Sequence, residues 1–177
     1  INTLPRTGIQ ALIENVNKDE LTITDVVFII APRINAAGRI KHGLHAVELL
    51  TEQDYERAQE MASGIEGFNA ERKDLDKVIT QEALLQNRKT TVVFQENWHK
   101  GVIGIVASRL TETYYRPTLV FTKSGEKLAA SARSVKGFDV YDALEQCSEH
   151  IEQFGGHKYA AGLTLGEHQY EGFKQKF

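Results

Sequence analysis

The sequence predicts an α/β fold: short helices, then a long connecting helix, then a mixed β-sheet flanked by helices. Three observations predict it. Apolar residues recur at helical spacing between Ala58 and Ile79, and residues 51–87 contain no proline. From Thr90 onward, β-branched runs alternate with helical stripes in the order β-α-β-β-α-β, as in a mixed sheet covered by helices. The first fifty residues carry only short apolar faces.

Each element has its own signal. Ile9, Leu12, Ile13 and Val16 are spaced for one face of a short helix, with Pro5 tolerated in its first turn. Val26 to Ala31 is an unbroken apolar run that fits a buried strand or a buried helix; Thr24 and Asp25 before it, read as caps, favour helix. Pro32 is expected to end it, and residues 33–43 to form a polar, glycine-containing loop. A second short helix covers Ala46 to Leu50. The long helix carries Ala58, Met61, Ala62, Ile65, Phe68, Leu75, Val78 and Ile79 as its stripe. Asn69 and Arg72 interrupt that stripe, and Gly64 and Gly67 are places where it could bend. Strands are expected at Thr90–Phe94, Thr118–Thr122 and Leu128–Arg133, the last two joined by a tight turn at Ser124-Gly125. Val102, Ile103, Val106 and Leu110 give a helix over Gly101–Leu110. Asp139 caps a helix that buries Val140, Leu144, Cys147 and Ile151. A glycine pair follows, then a strand over Tyr159–Leu165. The expected division is 1–50, 51–87 and 88–177.

The length of 177 residues suits one domain or two small ones. With 21 basic and 24 acidic residues the net charge is -3, which excludes nucleic-acid binding by bulk charge but not by a few local arginines. An apolar share of 41% and a charged share of 25% are those of an ordinary globular domain. Cys147 is the only cysteine, so no intrachain disulfide or Cys-based zinc site can form, and a reducing, cytoplasmic setting fits. No apolar run reaches the ~20 residues of a bilayer span, so no membrane partner is expected. The chain opens on Ile1 and its only methionine is Met61, which reads as a piece of a longer protein.

Four segments could carry chemistry. In Phe154-Gly155-Gly156-His157-Lys158, two glycines allow close backbone approach to a ligand, and the histidine could donate to a phosphate or act as acid or base. The structural alternative is a helix C-cap glycine followed by an exposed loop histidine. In Ser131-Ala132-Arg133-Ser134, strand alternation puts Ser131 and Arg133 on one face, where hydroxyl and guanidinium together suit a phosphate; the alternative is an edge-strand salt bridge. Asn97-Trp98-His99-Lys100-Gly101 leads into a helix with Gly104 in its first turns, where an anion could dock and Trp98 could stack on a base; the alternative is a buried tryptophan and glycines that only permit helix–sheet packing. Arg33, Asn35 and Arg39, with Lys41 and His42 beyond them, suit a polyanion or merely a solvated surface. His42 and His45 lack a third ligand nearby. Asp74 and Asp76, at i and i+2 on the long helix, face apart, so no carboxylate cluster for a divalent cation stands out.

Together "PRINAAGR", "NWHKGVIGIVASRL", "SARS" and "FGGHKYAAGLTL", in this order over nearly the whole chain, resemble the RecJ family of single-stranded-DNA-specific 5′→3′ exonucleases, in the DHH phosphoesterase superfamily. The resemblance implies a fragment of a nuclease of DNA repair and recombination, with single-stranded DNA as partner and Mn²⁺ or Mg²⁺ as cofactor. In that family two metals are held by aspartate motifs and an Asp-His-His motif of an N-terminal catalytic domain. No Asp-His-His occurs here. The resemblance therefore makes 1–50 the tail of the catalytic domain, 51–87 the connecting helix and 88–177 the DHH-associated substrate-binding domain, inactive on its own. It matches Gly155, Gly156 and His157 to a signature facing the metal centre, with His157 as the catalytic candidate. It matches Ser131 and Arg133 to phosphate-gripping positions near the 5′ end, and Arg33, Asn35 and Arg39 to a loop beside the active-site groove. Trp98 and His99 complete the expected substrate-binding set. The competing readings are a DHH-family phosphodiesterase of short oligonucleotides or cyclic dinucleotides, and a non-catalytic nucleic-acid-binding module of the kind found in alanyl-tRNA synthetases.

Overall fold

The computed structural model describes residues 1–14, 16–85 and 91–177. They divide into two compact units, Ile1–Asp74 and Leu75–Phe177, and the division falls inside the long helix. Asn15 and residues 86–90 lie outside the described residues, and with them the expected strand start at Thr90 and the expected boundary at 87/88.

The first unit is helical. Helix α1 (Thr7–Ile13) packs against α4 (Leu44–Thr51) so closely that a Cβ on Gly8 would lie 1.9 Å from the Leu49 carbonyl oxygen. The run from Val26 is helical, as expected, but its cap is different. Thr22 caps the single turn α2 (Ile23–Asp25), and Asp25 returns the bond to the Thr22 backbone in a capping box. Pro32 does not end the helix. Val26–Ile30 is a π-helical turn in which the Ala31 N–H bonds to the Val26 carbonyl, and α3 (Ala31–Ile40) continues with Pro32 in its first turn. The widened turn accommodates a ring that would clash with a regular ladder. The expected loop at residues 33–43 is therefore mostly helix, and the sequence alone conceals this because a proline reads as a stop.

Helix α5 (Tyr55–Leu84) is the expected long helix, unbroken through Gly64 and Gly67. In the first unit its stripe buries Ala58, Ala62 and Ile65 with Leu12, Ile30, Ala37 and Leu49. The polar interruption has a structural reason. Arg33 pairs with Glu66, Glu66 accepts from Asn69 Nδ2 at 3.3 Å, and Asn69 Oδ1 accepts from Arg72 at 3.1 Å. Burial pushes the Glu66 carboxyl up, but the Arg33 and Asn69 hydrogen bonds outweigh it and hold it below the usual range.

The second unit is built on a five-stranded mixed sheet in the order β1-β2-β3-β5-β4. Its strands are β1 (Thr91–Phe94), β2 (Thr118–Ser124), β3 (Lys127–Arg133), β4 (Gln153–His157) and β5 (Ala160–Gly166). β1 and β2 are parallel and joined through α6 (Ile103–Tyr114); all other pairs are antiparallel. The β2–β3 turn sits at Gly125-Glu126, one residue later than expected, because Ser124 and Lys127 pair across it and Gly125 takes the positive φ of 66°. β4 was not expected. The glycine pair lies inside it, so the sheet gains a fifth strand and Gly155-Gly156-His157 is not a loop. Asp139 caps α7 (Val140–Gln146) as read, accepting from the Tyr141 and Asp142 N–H groups.

The two sheet faces differ. On one, Leu119, Phe121, Leu128, Leu163 and Leu165 bury against α7 and α8 (Tyr170–Lys176), with Phe121 edge-on to Tyr170 and Phe173 at centroid distances of 5.3 and 5.6 Å. On the other, α6 lies over β2 and β3, while Gly155, Gly162 and His157 on β4 and β5 are exposed.

Candidate nucleic-acid interface

Register places the predicted residues in two rows on the partly open face. Arg133 pairs with Ala160, and Ala160 with His157; Ser131 pairs with Gly162, and Gly162 with Gly155. Residues directly opposite in a sheet point the same way, and so do residues two apart on one strand. Ser131, Arg133, Gly155 and His157 therefore share one face. Gly156 points to the other.

Arg133 lies on the first turns of α6. Its Nε donates to Ser108 Oγ at 3.2 Å and its Nη1 to the Ala132 carbonyl at 2.8 Å, while Ser108 Oγ donates to the Gly104 carbonyl at 3.2 Å. A Cβ on Gly104 would come within 3.2 Å of Arg133 Nη2 and 3.4 Å of Ser131 Oγ, so glycine there makes the room that brings guanidinium, hydroxyl and helix start together. β3 is the central strand, which removes the edge-strand alternative for this arginine. The arginine is half-buried and its fork is held in a fixed orientation, the arrangement that suits bidentate binding of a phosphate. Sequence reasoning missed Ser108; its position four residues after Gly104 on a helical stripe was the available signal. It also missed Gly162, which alternation with Ala160 and Thr164 would have found.

His157 is exposed at the end of β4. Its Nδ1 accepts from the Tyr159 N–H at 3.2 Å, which assigns the proton of the neutral ring to Nε2 and turns an N–H donor outward. The two glycines before it serve different ends. Gly156 has φ 147°, and a Cβ there would lie 2.4 Å from the Ala160 carbonyl oxygen; a Cβ on Gly155 meets nothing within 4 Å.

The other expected residues have partners or positions of their own. Trp98 is 5% exposed and its indole donates to Glu82 at 2.6 Å, so it packs the domain and offers no free ring face to a base. His99 is half-buried, its Nδ1 accepting from the Gly101 N–H at 3.1 Å. Arg33 is occupied by Glu66 and the Ile29 carbonyl. Asn35 and Arg39, four residues apart, lie on the exposed side of α3 within the first unit. Asp76 is buried in an ion pair with Arg109 at 2.7 Å. Among the described residues no group of three or more His, Cys, Asp or Glu side chains stands together as a metal site. Among them, too, no helix is long and apolar enough to cross a membrane.

Comparison with known proteins finds relatives that match nearly the whole chain. The chain is 36% identical to the single-stranded-DNA-specific exonuclease RecJ of Salmonella typhimurium over 97% of its own length and 33% of that protein's. It is 39% identical to the Bacillus subtilis RecJ over 90% of its length and 22% of that protein's. The chain thus spans about a third or less of these curated relatives. Among solved structures it superposes on Thermus thermophilus RecJ in complex with Mg²⁺ with a TM-score of 0.86 at 33% identity, covering 96% of this chain and 27% of that one. A manganese-bound exonuclease RecJ gives 0.85 at 34% identity, with 96% and 44% covered. The DHHA1 domain model matches residues 76–177, the segment that holds Gly104, Ser131, Arg133, Gly155 and His157, and the chain belongs to the DHHA1 domain family.

Proposed function

We propose that this chain is the substrate-binding part of a single-stranded-DNA-specific exonuclease that hydrolyses phosphodiester bonds 5′→3′ in DNA repair and recombination. The observation that carries the reading is the Ser131–Arg133 cradle beneath Gly104, on the same sheet face as the exposed His157. Residues 1–50 would be the end of a catalytic domain, α5 the connection, and the sheet unit the surface that binds DNA. A single buried, unbridged cysteine fits a cytoplasmic setting. Divalent metal, where the full-length protein uses it, would be held by residues other than those described.

This chain's own groups bind and orient. The Arg133 fork and Ser131 hydroxyl take a phosphate and set the register of the strand. His157 presents Nε2–H to an oxygen on which negative charge grows during cleavage. Arg133→Lys in the full-length protein keeps the charge and loses the fork; single-strand affinity should fall by about 1–3 kcal/mol, the scale of a charge-assisted hydrogen bond. His157→Ala should lower the single-turnover cleavage rate about 10²-fold while affinity falls much less. Unchanged affinity in a folded Arg133→Lys protein, or unchanged cleavage in His157→Ala, overturns the corresponding role.

A further inference from the structure

Beside the Arg133 cradle, on the uncovered part of the same face, a shallow groove of about 310 Å³ is floored by Gly155 and Gly162 and bounded by Gln153, Thr164 and Lys100. Arg133 and Ser108 do not line it, so the groove and the cradle are separate places on one surface. The floor is glycine on two adjacent paired strands, and Cβ atoms there would meet nothing within 4 Å at Gly155 and only the Ala130 carbonyl oxygen, at 3.7 Å, at Gly162. Neither glycine is required for packing, and neither puts a side chain into the groove.

Charge sorts the same way. Lys123 and Lys127, at the same end of the β2–β3 hairpin, are taken up by Glu96 and Glu152. Lys100 has a hydroxyl partner, Ser124 Oγ at 3.1 Å, and no carboxylate lines the groove. The loop that carries Lys100 is anchored from beneath. The Trp98 indole donates to Glu82 at 2.6 Å, and the buried Thr122 hydroxyl donates to the Trp98 carbonyl at 2.5 Å and the Glu96 carbonyl at 3.3 Å. An exposed cation on a rigid loop, facing a glycine floor, is placed for an anionic ligand with a flat group.

We infer that this groove is a second nucleotide subsite, in which Lys100 takes the backbone phosphate of a nucleotide neighbouring the one at Arg133 and the sugar or base lies over Gly155 and Gly162. The inference rests on the single-stranded-DNA reading above and adds a place for the next nucleotide along the strand. It also gives Trp98 a role different from stacking: with Glu82 it positions the Lys100 loop.

The test is equilibrium binding of a 5′-phosphorylated oligonucleotide and of a 5′-mononucleotide to full-length wild-type, Lys100→Gln and Lys100→Arg proteins across a salt series. Lys100→Gln should bind the oligonucleotide about fivefold more weakly. Its log–log salt slope should be shallower by about 0.7, the value for one lost single-strand phosphate contact. Lys100→Arg should restore both, and mononucleotide affinity and melting temperature should not move. Gly162→Val, which raises the floor, should weaken the oligonucleotide alone. Wild-type protein that binds no single strand would overturn the underlying reading. Wild-type binding with an unchanged Lys100→Gln slope, or an equal loss for the mononucleotide, would overturn the second subsite and leave the cradle standing.

Discussion

A Cβ on Gly156 would lie 2.4 Å from the Ala160 carbonyl oxygen and 2.5 Å from Ala161 Cα, at a backbone φ of 147°; on Gly155 it would meet nothing within 4 Å. Gly156→Ala should therefore cost about 1–3 kcal/mol of stability through strain and overpacking. Gly155→Ala should stay within roughly 0.5 kcal/mol of wild type, as for a surface change, yet weaken single-strand binding by intruding on the exposed face. Chemical denaturation beside a binding titration separates the two; a Gly155→Ala protein that loses stability and keeps its affinity would contradict the assignment. At this scale the sequence shows some residues and hides others. Ser131 and Arg133 were legible because strand alternation alone fixes which side they share. Arg33 was not, because its partner Glu66 is 33 positions away and the pair exists only once α3 meets α5. Trp98 was ambiguous because an indole suits a core and a binding surface equally well, and only the bond to Glu82 decides between them.

Elements show the same division between local signal and long-range consequence. Helix α5, the α7 cap at Asp139 and strands β2 and β3 follow from local pattern and were legible. β4 was not: Phe154-Gly155-Gly156 has little strand propensity, and the strand exists because β5 offers an edge from Ala160 to Thr164 for it to pair with. The helix through Pro32 was also hidden, since a π turn is a tertiary solution to a local defect. The start of that helix carries a pH prediction. Asp25 accepts from Lys18 at 2.5 Å and from the Thr22 N–H and hydroxyl, and these bonds, that of Lys18 foremost, lower its carboxyl to about 2. Its folded value lies below the ~3.9 of an unfolded aspartate, so the capping box contributes stability that is complete above about pH 4 and is lost as pH falls toward 2. Asp25→Asn should melt below wild type at pH 7, and the gap should close as the pH approaches 2. A gap that stays constant from pH 7 to pH 2.5 would mean that the charge on Asp25 does not hold the turn.

For the whole molecule, the proposed phosphate cradle stands in a chain with no metal-ligand cluster among its described residues. The two units are unlike in this respect. The cradle, Lys100 and His157 all belong to Leu75–Phe177, while the charged residues of Ile1–Asp74 include Arg33, which is spent on an internal pair. A net charge of -3 means that any affinity for DNA comes from where these cations stand and not from their number. Cleaving a phosphodiester also requires an activated water and stabilisation of charge on both sides of the phosphorus. In the reading proposed above, Arg133, Lys100 and His157 would supply positive or donor groups to a bound strand, and activation of that water would fall to groups other than these. The 177-residue chain by itself should therefore bind 5′-phosphorylated single strands, with affinity that falls steeply with salt, and release no nucleotides from them in the presence of Mn²⁺. Release that survives repurification and disappears in the His157→Ala chain would overturn this division of labour, because it would place the whole reaction within these residues.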